Sequence, residues 1–354
     1  MFSVRTKKRF LLAITSLFFS MGASAQGNNT LMGGNDEGFE SIAERITKLE
    51  KRHDAFNIYV NFAEATDIMM VGYNINDKVT VAGGKLAQLW GGYEFDENPI
   101  YVYEYSDIVS HMGDFMTGVM VSYRPVSNHE FAFEMSNTYQ KKFSDIYGAS
   151  PYVFEGISQK QLKKSSAPFC YILNWNGSMF GGKLNTRWSC GLQSLAKGKL
   201  SRMVTLGQQL NLPKFQCYLD YMGAFDQLDM LGIATSELMP AIVDDDESGS
   251  TFHFGKVKYH TLTAKADWQF APSWNLQLKG MYGTTSVSEY EHLHNYRRSY
   301  GYVGSLEYFP VKKQDFRLFL SYAGRKYDYT RRCGLTDYNT DRVELGVIYR
   351  IKAY

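Results

Sequence analysis

The chain has 354 residues, 15% of them aromatic, with 31 glycines, only 8 prolines and a mean hydropathy of −0.32. At 44% hydrophobic and 21% charged it is too apolar to stay disordered, and past residue 25 no run of 18 apolar residues exists to form a membrane-spanning helix. A formal charge of +2 offers no basic body for nucleic acid, which leaves a soluble β-rich protein or a membrane β-barrel.

Residues 1–25 read as a secretory signal. Arg5, Lys7, Lys8 and Arg9 precede an apolar stretch over 10–21, and Ala23-Ser24-Ala25 fits the small-x-small cleavage rule, with Gln26 as the new terminus. Cleavage removes four basic residues and no acids, leaving 34 against 36. Residues 26–54 hold a flexible, polar lead and a short amphipathic helix over 41–52. There Ile42, Ile46 and Leu49 share a face, Ser41 stands at the N-cap and Glu44 follows three places later. About three turns of helix are marginal alone in water, so the segment reads as a spacer, a plug or an oligomerisation stub.

From Phe56 to the end the period is two. Phe131, Phe133 and Met135 alternate with Ala132, Glu134 and Ser136. Leu184, Thr186, Trp188 and Cys190 alternate with Lys183, Asn185, Arg187 and Ser189. Phe215, Cys217, Leu219 and Tyr221 alternate with Gln216, Tyr218 and Asp220. Trp274, Leu276 and Leu278 alternate with Asn275, Gln277 and Lys279. Phe316, Leu318 and Leu320 alternate with Arg317, Phe319 and Ser321. Segments of about ten residues, apolar on one face and polar on the other, are the pattern of a membrane barrel, whereas sandwich strands average about five or six.

The connections alternate in length. Short ones fall at 74–78, 125–128, 176–181, 211–214, 271–273 and 310–314. Long ones fall near 87–114, 140–168, 192–200, 225–255, 285–298 and 325–341. The expected fold is therefore all-β, a transmembrane antiparallel up-and-down β-barrel over 55–354, preceded by the short N-terminal helix. The alternation counts 14 strands, and a strand hidden in a long loop would make 16. Closure follows from the bilayer, since lipid satisfies no strand edge. Tyr123, Trp175, Trp268, Trp274, Tyr300, Tyr302 and Tyr308 stand at strand ends, where interfacial girdles form. Cys170, Cys190, Cys217 and Cys333 lie far apart and read as buried or lipid-facing thiols, not as a disulfide framework.

By parity, Arg124, Lys183, Arg187, Lys265, Lys279, Arg317 and Arg350 face the lumen, together with Glu134, Asp220, Asp267, Glu307 and Glu344. Seven cations against five acids make a mixed wall, most simply read as salt bridges between neighbouring strands. The loop at 87–114 is the candidate for an inward constriction, with Glu94, Asp96 and Glu97 in it and Lys85 beside it as a further pore-lining candidate. An acidic lip there favours cations or neutral solutes. The run 244–249 is an acidic loop that lacks calcium-loop spacing; it can bind a divalent ion weakly or bridge lipopolysaccharide phosphates. His292 and His294 lie in a polar loop and make a weak case for a metal. His253, His260 and Ser250 give no positioned catalytic set, so no enzyme, metal or cofactor is expected.

The stretch Gly84-Lys-Leu-Ala-Gln-Leu-Trp-Gly-Gly-Tyr-Glu-Phe-Asp-Glu-Asn-Pro-Ile100, then Tyr103-Glu-Tyr-Ser-Asp107 and Asp114-Phe-Met-Thr-Gly-Val-Met-Val-Ser-Tyr123, resembles the phosphate-selective porin O and P family over most of 40–354. The resemblance implies an outer-membrane porin of a Gram-negative envelope, of 16 strands and often trimeric, and does not by itself imply phosphate. Its partners would be outer-membrane lipid and lipopolysaccharide, the barrel-assembly machinery, and small hydrophilic solutes or anions. The last strand fits such a barrel. Val343, Leu345, Val347, Tyr349 and Ile351 form its apolar face, although Tyr354 falls out of phase with them. The expected function is passive diffusion of small solutes, with an anion or phosphate preference as its finer form. The alternative is a non-conducting barrel whose long outer loops bind a surface partner or glycan.

Overall fold

A computed structural model describes residues 56–62, 66–242, 250–311 and 315–350. The secretory signal, the helix over 41–52, the acidic run 244–249 and Tyr354 lie outside the described residues. In chain order the strands are β1 (Phe56–Phe62), β2 (Thr66–Asn76), β3 (Val79–Ala87), β4 (Phe115–Val126), β5 (His129–Asn137), β6 (Ser150–Glu155), β7 (Ser158–Gln161), β8 (Phe169–Met179) and β9 (Leu184–Ala196). They continue as β10 (Lys199–Leu212), β11 (Phe215–Asp226), β12 (Ser250–Phe254), β13 (Val257–Ala271), β14 (Trp274–Val287), β15 (Arg297–Tyr308), β16 (Asp315–Tyr329) and β17 (Tyr338–Arg350). Four short helices punctuate the loops: α1 (Tyr93–Asp96), α2 (Asp107–His111), α3 (Phe143–Tyr147) and α4 (Ile233–Leu238).

Fourteen strands form one antiparallel sheet from β1 to β17, each paired with its neighbour in sequence once β6, β7 and β12 are set aside. Among the described residues no ladder joins β1 to β17. The faces follow the period-two pattern, inverted relative to a soluble protein. Leu345 is 83% exposed, Leu278 52% and Trp268 51%, while Glu134, Asp220 and Arg317 on the other face are buried. Outward rings meet across neighbouring strands. Phe131 stacks on Trp175, which meets Trp188 edge-on at 5.2 Å, and Trp274 lies 4.6 Å from Tyr308. Such cross-strand aromatic pairs fix register.

The tight turns have local causes. At β2–β3 the Asn76 side chain accepts the N–H groups of Lys78 and Val79 at 2.9 and 3.0 Å. Two links differ from expectation. The long connection at 192–200 is a two-residue hairpin between Ala196 and Lys199, which Gly198 permits with φ +72°. The one at 325–341 contracts to 330–337. In both places the strands carry polar residues on alternate positions past the apolar belt, so hydrophobic alternation fades while backbone pairing continues.

The strands hidden in the long loops do not extend the main sheet. β12, β6 and β7 form a second sheet over the loop side, in which β6 and β12 run parallel, from Ser250↔Ser150 to Phe254↔Phe154. Beneath it lies the principal apolar core. It joins Trp90, Phe95 and Ile108 of the 88–114 loop to Ile233, Leu238 and Phe254 of the 227–256 loop and to Ile172, Met203 and Tyr259 on the inner face of the sheet.

Candidate functional site

The 88–114 loop runs along the inner face and touches β5, β8, β9, β11, β13, β14, β15, β16 and β17 in turn. Gln88 donates to Ser136, and Leu89 donates to Glu134 at 2.9 Å and accepts from Asn174. The N–H of Gly91 donates to Ser189 and that of Gly92 to the Arg187 carbonyl at 3.1 Å. One loop in contact with so many strands requires the sheet to curl around it.

The close approach depends on missing side chains. Gly92 has φ +90°, and a Cβ on Gly207 opposite would lie 2.9 Å from the Gly92 Cα and 2.8 Å from Asp220. Past Gly92 the chain turns into α1. Asp220 accepts the N–H groups of both Tyr93 and Glu94 at 2.7 Å, satisfying two donors that a helix start leaves open.

Acids of the loop then meet cations of the wall. Glu94, 1% exposed at its side chain, pairs with Lys279 at 2.7 Å and also accepts from Ser106 and Thr263. Asp96 pairs with Arg187, and Glu97 with Lys265, whose ammonium also lies 3.5 Å from Asp267. Arg317 pairs with Glu307 at 2.6 Å and lies over the Tyr101 ring, while Tyr103 donates to the same Glu307 at 2.9 Å. These contacts form a tier toward the tight-turn side.

A second tier lies toward the long loops. At the start of α2, Asp107 binds Arg297 at 2.7 Å, Arg325 and Ser299. Arg297 also lies 2.9 Å from Glu237 of α4. Burial opposes ionisation of Asp107, but the two guanidiniums hold its carboxyl below the ordinary value. Burial pushes the Tyr93 and Tyr103 hydroxyls far up, Tyr103 with help from Glu307, so both remain protonated.

Of the residues singled out in the sequence, Arg187, Lys265, Lys279 and Arg317 come together with Glu94, Asp96 and Glu97 in this network. Arg124 sits at the turn end of β4, its N–H donating to the Lys78 carbonyl, and Arg350 ends β17 in register with Asp315. Lys183 is exposed in the turn before β9, its carbonyl accepting the Asn211 N–H at 2.7 Å, so the pairing with β10 reaches it in the phase of Asn185 and Gln209. One position is corrected. Lys85 stands in register with Met69 and Thr117, on the face of β3 opposite Ala82 and Leu86. The Asp107–Arg297–Arg325 cluster was not singled out, although inward parity of Arg297 and Arg325 on strands rich in tyrosine was the available signal. Among the described residues no group of three or more His, Cys, Asp or Glu is placed to hold a metal. His294 instead bonds the Ser288 carbonyl, and His260 faces outward on Tyr221 at 2.9 Å.

The family model described as phosphate-selective porin O and P matches residues 46–351. Among solved structures, the outer membrane channel DcaP of Acinetobacter baumannii is similar at a TM-score of 0.57 and 11% identity, covering 83% of this chain and 79% of that one. OmpF of Salmonella typhi, solved with daunomycin, is similar at 0.51 and 10%, covering 85% and 86%. At such identities the likeness is one of fold. No curated protein matches the chain in sequence.

Proposed function

The chain belongs to the phosphate-selective porin O and P family, an outer-membrane family, and on that premise we propose that it is a passive diffusion channel for small hydrophilic solutes. The observation that carries this reading is the inner wall. On the turn side it is polar and charged while the outer face is apolar, and one long loop lies against it. In a bilayer the ladder from β1 to β17 closes on itself, because an unpaired strand edge in lipid costs several kcal/mol per group. The resemblance adds a trimer, in which part of the outward apolar belt would face other copies. The channel needs no chemistry: solutes cross by exchanging water for wall groups.

An anion preference, the finer form suggested by the family's description, would rest on Arg187, Lys265, Lys279 and Arg317. Each of the four has a carboxylate partner, so the wall lacks the uncompensated cation file that would attract phosphate. A second reading is favoured by one feature, the apolar core under the outer sheet, which packs two long loops against the inner face. On that reading the barrel does not conduct, and its outer loops bind a surface partner or glycan. Planar-bilayer recording of the folded, full-length protein decides between them. Stepwise current with a measurable reversal potential in a salt gradient supports the channel, and a folded barrel that passes no ions refutes it.

A further inference from the structure

We infer that the cleft between the loop tip and the turn-side wall binds an uncharged, polyhydroxylated solute, of the saccharide or polyol class, in preference to one bearing a phosphate. The inference deepens the channel reading and rests on it for its physiological meaning, since the cleft lies on the path a solute would take.

Asp96, Glu97 and Tyr101 of the loop face Arg187, Lys265 and Arg317 of the wall across this cleft. Its charged lining comprises four carboxylates (Asp96, Glu97, Asp267 and Glu307) and three cations (Arg187, Lys265 and Arg317), a formal balance of −1. Every one of those cations is engaged: Arg187 by Asp96, Lys265 by Glu97 and Asp267, and Arg317 by Glu307 and the Ile100 carbonyl at 3.3 Å. Phosphate oxygens at neutral pH chiefly accept hydrogen bonds. A phosphate entering here would have to displace carboxylates from buried cations and would leave those carboxylates unpaired beside it, an arrangement that costs several kcal/mol.

The uncharged lining has different demands. Asn98, Gln209, Gln216 and Gln277 supply amides, each with both donor and acceptor capacity. Gln216 spends its Nε2 on Asn211 at 2.8 Å and leaves its Oε1 without a protein partner. A hydroxyl can donate to an amide oxygen, and a phosphate oxygen, which chiefly accepts, cannot. Tyr93 and Tyr218, with ring centroids 5.9 Å apart, add an apolar wall beside these polar groups. Convergent amides, carboxylates held by their own counter-ions and an aromatic wall together suit a ring of hydroxyls.

Saturation-transfer NMR on the detergent-folded full-length protein tests this with maltotriose and inorganic phosphate as probes. Maltotriose is expected to receive saturation that a tenfold excess of phosphate does not displace. The double variant Gln216→Ala/Gln277→Ala should weaken maltotriose at least about tenfold, as the loss of one or two hydrogen bonds requires. Asp96→Asn/Glu97→Gln frees Arg187 and Lys265 and should make phosphate bind at least about tenfold more tightly. Displacement of maltotriose by phosphate in the unaltered protein, or no maltotriose signal at all, overturns the inference, and neither result depends on a variant folding. Bilayer recording of the same preparation is scored separately. Maltotriose binding without current refutes the channel and upholds this site, and current without maltotriose binding refutes this site alone.

Discussion

The Oδ2 of Asp220, on β11, accepts the backbone N–H of Glu94 at 2.7 Å across 126 residues of sequence, and the same oxygen accepts from Tyr93. A wall carboxylate thus holds the start of α1 in place. Asp220→Ala removes the only acceptor those two N–H groups have in the described structure, a loss of about 1–3 kcal/mol. The expected result is a lower denaturant midpoint in detergent and faster proteolysis within 88–114. Asp220→Asn, which keeps an acceptor oxygen, should show a smaller change of the same sign.

The Glu94–Lys279 pair is nearly inaccessible on both sides. Lys279→Met leaves a buried carboxylate without its counter-ion and should cost about 3–5 kcal/mol. Adding Glu94→Gln removes the stranded charge and should recover most of that loss. A double-mutant cycle in guanidinium measures it. Additive losses would show that the two groups do not interact.

Two groups outside the spanning strands lose their contributions to stability in the same direction, as pH falls, but in different windows. Burial keeps the His253 ring below its ordinary value of 6.5, even though it bonds the Tyr147 carbonyl at 2.9 Å. The folded outer sheet holds that ring neutral, while the detached segment gains a proton near 6.5, so the sheet loses stability as pH falls below that value. Asp107 has the same sign in a more acidic window. Its carboxyl is held below 3.8, so the stability it contributes is complete above 3.8 and is lost only as pH falls through the lower, folded-state value. Hydrogen exchange corrected for intrinsic rates should therefore rise in 150–161 and 250–254 between about pH 7.5 and 5.5, with 107–111 unchanged. Equal changes in the two regions would contradict this assignment.

Gly207 faces the loop backbone. A leucine there would meet Gly92 and Asp220 at contact distances no side chain tolerates, so Gly207→Leu should drive the loop off the wall. In bilayers the variant should show larger unit current and a shift in ion selectivity. Unchanged current with an intact barrel would mean that the loop does not limit passage.

The strand faces were legible in the sequence because lipid on one side and loop acids on the other impose a strict two-residue period. Trp188 and Arg187, adjacent in sequence and opposite in burial, show it directly. Loop lengths were less legible. At Lys197 and Gly198 nothing in composition separates a hairpin tip from a longer excursion, since strands that rise past the lipid lose their apolar marker. The inward fold of 88–114 was named as a candidate, but its pairings were not readable. The partners of Glu94, Asp96 and Asp107 stand roughly 90 to 220 positions away, and only the curl of the sheet brings them together.

The parallel pairing of β6 with β12 has a consequence for how the cell exterior meets this protein. It stitches together two excursions that leave the barrel on either side of β8–β11, so neither can be presented without the other. Any epitope over Tyr152 and Phe252, whose rings stack at 5.7 Å, is assembled from distant stretches of the gene. Antibodies raised against linear peptides from either stretch would miss it, and trimming one excursion would unmask the other.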